Sequence, residues 1–163
     1  EMVDPQGIRF PDLYKSRDPA RTPMQWDDSE NAGFSLAKPW LRLADNYPEV
    51  NVRTQKETPG SMLQLYRKLI HRRQQEPALQ SGSYQPVFAD EQLFAYVREH
   101  ETGSRFLMVL NLTHRPARFS PPHYHWNGII EISTLANREG EKINSEALTL
   151  NGDEGLIIRL LDS

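Results

Sequence analysis

Cysteine is absent from the 163 residues, which rules out disulfides and thiolate metal sites. No run of about 18 apolar residues occurs, so no segment reads as a membrane-spanning helix. A secretory signal pattern is missing too. A reducing, cytoplasmic compartment is the expected location. Excess charge of either sign is also lacking: nineteen basic and twenty-two acidic side chains leave a net −3. That balance offers no polycationic surface, so neither nucleic acid nor a membrane is expected as a partner. There is no glycine-rich phosphate loop, no HExxH and no nucleophile elbow with its base, and no cofactor is expected. The chain opens at Glu1 without an initiator methionine, as expected of a piece of a longer protein.

What is present falls into two halves of different texture. Residues 1 to 16 scatter Pro5, Gly7 and Pro11 among isolated apolar residues, which is loop chemistry. Arg17 to Ser35 (RDPARTPMQWDDSENAGFS) has no period of two or 3.6. Pro19 and Pro23 oppose a helix or a central strand, and Asp27 to Asn31 are turn formers. With Met24, Trp26 and Phe34 to bury, the stretch reads as a long ordered loop rather than disorder. Lys38 to Pro48 stays irregular, with Trp40, Leu41, Leu43 and Tyr47 spaced like a strap. Asn51 is placed to cap a short helix to about Glu57. Thr58-Pro59 signals the start of a longer helix on which Met62, Leu65, Tyr66 and Leu69 share a face. Pro77 stops it near Gln75 or Glu76.

Beyond Gly82 the pattern turns to strands. Residues 84–88, 93–99, 105–112, 117–119, 128–133, 147–150 and 156–161 are rich in β-branched, aromatic and leucine residues. Turn signals separate them, among them Thr102-Gly103, Asn127-Gly128 and Asn151-Gly152. Leu93 to Leu112 reads as a hairpin, and the whole set as an antiparallel β-sandwich.

Chemistry-bearing clusters are few. His123 and His125 are two apart, as a pair of metal ligands on a strand would be, but no third ligand is near. Asp27, Asp28 and Glu30 supply oxygens suited to calcium, and equally suited to turn formation. Arg67, Lys68, His71, Arg72 and Arg73 crowd the second half of the long helix, where the macrodipole favours cations; a solvated face or an anion site would use them. Asn111-Leu112-Thr113 is a formal glycosylation sequon. No acid pair is placed as a general acid and a nucleophile.

The string RTPMQWD (Arg21 to Asp27) followed by NAGFS (Asn31 to Ser35) resembles the segment after the last barrel strand in α-glucosidases of glycoside hydrolase family 13, the α-amylase type. Oligo-1,6-glucosidases, trehalose synthases and the heavy chains of certain amino-acid transporters carry similar stretches. The likeness continues through KPWL (Lys38 to Leu41), NYPEVNV (Asn46 to Val52) and LYRKLI (Leu65 to Ile70), then fades. It implies that residues 1–82 are the end of a catalytic (β/α)8 barrel, its last βα loop and helix, and that residues 83–163 are a trailing antiparallel β-sandwich domain. Active sites of such barrels lie on the βα loops. The resemblance further implies a retaining α-glucosidase whose catalytic carboxylates lie upstream of this chain. The partners it implies are an oligosaccharide or disaccharide substrate and the missing catalytic barrel. A non-catalytic alternative is a β-domain that braces a barrel, as in transporter heavy chains, or a carbohydrate-binding module.

Within the loop, the resemblance matches Arg17 to an arginine that helps hold the non-reducing glucose. A guanidinium suits that task, since it is always charged and donates in a planar fork. The other reading of Arg17 is a surface ion pair with Asp18 or Asp12. Arg21 is expected to brace the loop, and Trp26 and Phe34 to pack beneath it or to stack on sugar rings. No catalytic residue is expected within the chain.

Overall fold

The computed structural model of the chain describes residues 3–10, 16–122, 124–146 and 148–161. Two compact units emerge, Glu1–Gln64 and Leu65–Ser163.

The first unit is mostly irregular chain. A short helix, α1 (Pro5–Arg9), forms where the sequence reads as loop. Its cause is the Asp4-Pro5 pair: the carboxylate accepts from the Gln6 N–H at 3.4 Å and proline supplies the first helical φ. Among the described residues, the following loop contains two 3-10 turns, Asp18–Ala20 and Glu30–Gly33. α2 (Val52–Glu57) is capped as expected, with Asn51 Oδ1 accepting from the Thr54 N–H at 2.9 Å. The N–H groups of Val52 and Arg53 donate to the carbonyls of Gln25 and Trp26 at 2.9 and 3.0 Å, which stitches the loop to α2.

The long helix begins later than its Thr-Pro signal suggests: α3 spans Met62–Gln75. Thr58 instead closes α2, its N–H on the Thr54 carbonyl. Gly60 takes φ +74°, which no helix continues. Ser61 Oγ then accepts from the Gln64 N–H at 3.3 Å and fills the capping place. Pro77 ends the helix where expected and opens α4 (Pro77–Gln80).

Among its described residues the second unit carries eight strands: β1 (Ser83–Ala89), β2 (Leu93–Glu99), β3 (Arg105–Asn111), β4 (Ala117–Phe119), β5 (Asn127–Ser133), β6 (Lys142–Asn144), β7 (Leu148–Leu150) and β8 (Gly155–Leu160). Six make an antiparallel sheet in the order β1-β2-β3-β8-β5-β6, and β4 pairs with β7 in a second sheet. Only β6 escapes the sequence pattern; it is three residues long and pairs with Asn127–Ile129 at the sheet edge. Period-two alternation points Leu93, Ala95 and Val97 of β2, with Ile130, Leu156 and Ile158, to one face. Ala117, Phe119, Leu148 and Leu150 of the small sheet pack against them, and Trp126 joins the same core. The second unit is thus an antiparallel β-sandwich. Among the described residues no helix is long and apolar enough to cross a membrane.

On the opposite sheet face, Ala78 and Leu79 of α4 bury Phe106 and Met108. Gly82 makes this possible: a Cβ there would lie 2.4 Å from the Ala78 carbonyl oxygen and 2.7 Å from that of Glu99. Both neighbours are backbone, so neither yields easily. Gly82→Ala is expected to cost about 1–3 kcal/mol through overpacking. Thermal melting of the variant checks this, and an unchanged midpoint would show that α4 and β1 separate freely.

Candidate functional site

The centre of the first unit's polar chemistry is a clasp between Asp4 and the Arg17-Asp18 pair. The Asp4 side chain is 1% exposed, whereas that of Arg17 is 53% exposed. Arg17 Nη2 donates to Asp4 Oδ1 at 2.8 Å and Nε to Oδ2 at 3.4 Å, and the Arg17 backbone N–H donates to Oδ2 at 2.8 Å. Asp18 answers in the other direction: its Oδ2 accepts from the N–H groups of Val3 at 2.7 Å and Asp4 at 3.1 Å. Adjacent residues thus grip the same dipeptide, one by side chain and one by backbone. The Nε–Nη2 edge of the fork is committed to Asp4, and Nη1 has no partner among the described residues. One edge is therefore fixed while part of the group faces solvent. Asp4 is the member that sequence reasoning missed; its only signal was the Asp-Pro helix start.

The electrostatics follow from this geometry. The Arg17 guanidinium, and then the Arg17 backbone N–H, hold the Asp4 carboxyl far below its ordinary 3.8. Asp18 shifts the same way, led by the Val3 N–H. A carboxyl whose folded-state pKa is depressed contributes stability above its unfolded pKa and loses it as pH falls through the folded value. The clasp should accordingly persist across the neutral range and loosen only below about pH 4. The Val3 and Arg17 amide signals, followed by NMR from about pH 7 downward, check this. Loosening already near pH 5 would contradict an ionised Asp4.

The remaining candidates distribute differently from expectation. Arg21 does not brace the loop by its side chain; among the described residues it contributes only its backbone N–H, to the Asp18 carbonyl. Arg53 does the bracing, with Nη2 on Asp27 at 2.8 Å and Nη1 on Asp28 at 2.6 Å. Those two acids are thereby engaged by a guanidinium, and Asp27 also accepts from Ser29. Trp26 and Phe34 are half exposed, at 50% and 48%, and not packed beneath the loop; fully buried Ala32, at positive φ, fills its interior instead. Gln25 Nε2 donates to the Val50 carbonyl at 2.6 Å. Asp12 and His123 lie outside the described residues, and His125 is exposed and off any strand.

In the second unit, the basic cluster of α3 is neither a free solvated face nor an anion site throughout. Arg72 lies 2.8 Å from Glu131 and 3.2 Å from Glu76, and Arg159 of β8 contacts the same two acids at 2.5 and 2.6 Å. Lys68 pairs with Glu139. The sequon asparagine, Asn111, is buried, and its Nδ2 donates to the carbonyls of Arg115 and Asn151, each at 2.7 Å. It is a structural residue closing two turns, with no free amide for a glycan.

Residues 1–82 match the family described as alpha amylase, catalytic domain. The chain belongs to that family. Its relatives include an oligo-1,6-glucosidase of Parageobacillus thermoglucosidasius, 40% identical over 74% of this chain and 22% of the relative. The solved structures include an isomaltulose synthase from Klebsiella sp. LX3 (33% identity, TM-score 0.80) and a trehalulose synthase from Pseudomonas mesoacidophila MX-45 (35% identity, TM-score 0.80), each matched over 90% of this chain and 26% of theirs. This alpha-amylase family chain thus spans about a quarter of the length of the proteins it matches. The matched residues 1–82 include the clasp, the Arg53 brace and α3.

Proposed function

We propose that this chain is the C-terminal part of an α-glucosidase that removes terminal α-linked glucose from short α-glucosides by a retaining mechanism. In that reading the attacking carboxylate and the carboxylic acid that protonates the leaving oxygen come from barrel strands upstream of Glu1. Arg17 is the substrate-binding residue, and Asp4 acts through it as a positioning residue. The observation that carries the reading is the half-committed guanidinium: a buried carboxylate fixes one edge, and the rest of the group stays open in a chain of the alpha-amylase family. A donor held in this way loses little further entropy on meeting a sugar hydroxyl or a carboxylate. Four acids of this part do not compete for the catalytic role, since Asp4, Asp18, Asp27 and Asp28 are engaged by backbone N–H groups or by Arg17 and Arg53. The substrate is an oligosaccharide or disaccharide, in keeping with the oligo-1,6-glucosidases among the relatives. Residues 1–82 form the end of the catalytic barrel and 83–163 the trailing domain, and the parent works in the cytoplasm.

The purified 163-residue chain should release no glucose from a nitrophenyl α-glucoside above the uncatalysed rate, while the parent joined to its upstream barrel should. Product configuration read by NMR at early times should be α. Turnover by the chain alone, lost on mutating one of its own acids, would overturn the assignment; so would a parent that lacks glucosidase activity.

A further inference from the structure

The turn from Asn151 to Glu154 joins β7 to β8 and opens on the pair Asn-Gly. The fold constrains both residues. Asn151 donates twice to Oε2 of the buried Glu154, through its backbone N–H at 2.8 Å and through Nδ2 at 3.1 Å. Its carbonyl accepts from Asn111 Nδ2 at 2.7 Å. Gly152 lies against the backbone of His114, where a Cβ would stand 2.4 Å from the carbonyl carbon and oxygen. An amide donor is thus called for at 151 and a side chain is excluded at 152. Together these demands create a dipeptide open to attack by its own backbone, because glycine has no side chain to shield its N–H. The Gly152 N–H donates to no acceptor among the described residues.

We propose that Asn151-Gly152 is a self-modification site, at which the folded chain deamidates and thereby loosens its own sandwich. The Gly152 nitrogen attacks Asn151 Cγ. A C–N bond forms to close a five-membered succinimide, the old Cγ–Nδ2 bond breaks, and the Gly152 proton leaves with Nδ2 as ammonia. Water then opens the ring at either carbonyl and leaves aspartate or isoaspartate at 151. At Asn151 the side chain has one bond to release, that of Nδ2 to Glu154. The chain's other Asn-Gly pair, Asn127-Gly128, is locked: Gly128 is paired with Ile143 of β6 and with Leu160 of β8. Closing a ring there turns the peptide out of the extended range and opens two ladders. The product at 151 damages what Asn151 held together. Aspartate exchanges a donor for a second carboxylate beside that of Glu154, and two such groups do not both stay ionised without cost. Isoaspartate inserts a methylene into the backbone between the groups bound by Glu154 and Asn111.

The test follows both sites in one sample. The native 163-residue chain is held at about pH 8.5 and about 37 °C, and peptides 119–138 and 143–159 are mapped by tandem mass spectrometry for the gain of about 1 Da; Asn151 should convert roughly tenfold or more faster than Asn127. In urea the two rates should draw together. The deamidated fraction, isolated by anion exchange through its added negative charge, should melt roughly 5 °C or more below the native chain. Asn151→Asp should reproduce the fall of the aspartate product. Conversion of Asn127 as fast as Asn151, an intact Asn151 in the folded chain, or a rate ratio unchanged by urea overturns the site. A native midpoint in both the deamidated fraction and Asn151→Asp overturns the loosening. The reaction uses neither substrate nor upstream barrel, so this claim and the glucosidase assignment fail separately.

Discussion

Glu154→Leu should unfold the second unit far below the temperature at which the native chain melts. Glu154 is fully buried. Its oxygens accept from the Ser133 hydroxyl at 3.1 Å, the Asn151 N–H at 2.8 Å, the Asn151 amide at 3.1 Å and Arg138 Nη1 at 3.4 Å. Its backbone carbonyl accepts from the Asn111 N–H at 2.9 Å, and Asn111 in turn closes the turns at Arg115 and Asn151. The carboxylate therefore sits where three connections of the sandwich converge. Leucine fills a similar volume but leaves those donors without an acceptor, Arg138 among them. Removing one partner from a buried charged pair costs about 3–5 kcal/mol, against a total stability of about 5–15 kcal/mol. For a unit of this size the melting midpoint should fall by roughly 15 °C or more. Glu154→Gln keeps the shape and one acceptor oxygen, so its cost should be nearer 1–3 kcal/mol, about that of a weakened hydrogen bond to a charge. Midpoints of both variants within about 3 °C of the native chain would show that water replaces the carboxylate there.

The sequence revealed the sandwich and concealed the clasp for one reason: the first is built from periodic burial and the second from single residues. Leu93, Ala95 and Val97 announce their strand because alternate side chains must be apolar when one face is buried. The hairpin into β3 follows from Thr102-Gly103, where Gly103 takes φ +87°. β6 has no such signature, since only Ile143 among its three residues packs on the core. The late start of α3 turned on Gly60 and Ser61, a competition between two plausible caps that propensity alone does not decide. Arg17 was legible through the likeness of its flanking strings, not through any physical pattern. Asp4 was legible only as an Asp-Pro helix start and not as a partner of Arg17, because a partner thirteen residues away leaves no periodic trace. Trp26 and Phe34 were misplaced for a related reason: apolar residues in an aperiodic loop carry no information about which way they face, and Ala32 was small enough to take the interior.

In the parent enzyme, Arg17→Ala should lower kcat/KM by roughly two to four decades, the loss of two charge-assisted hydrogen bonds at about one to two decades each. Arg17→Lys should recover little, because an ammonium cannot hold the Asp4 edge and present a second donor in the same plane. The Asp4 variant separates positioning from bracing. Asp4→Asn keeps one acceptor oxygen, for either the Arg17 N–H or the capping Gln6 N–H, and removes the charge that fixes the guanidinium. If Arg17 grips substrate, Asp4→Asn should weaken kcat/KM by about one decade, less than Arg17→Ala, in the enzyme that remains folded. It should also remove the clasp's own loosening below about pH 4, since asparagine has no carboxyl to protonate. A merely structural role predicts another pattern: midpoints fall, and the enzyme that stays folded turns over at the native rate in both variants. Kinetics and melting measured on the same preparations decide between them. Native kcat/KM in a folded Arg17→Ala enzyme would remove Arg17 from the binding site.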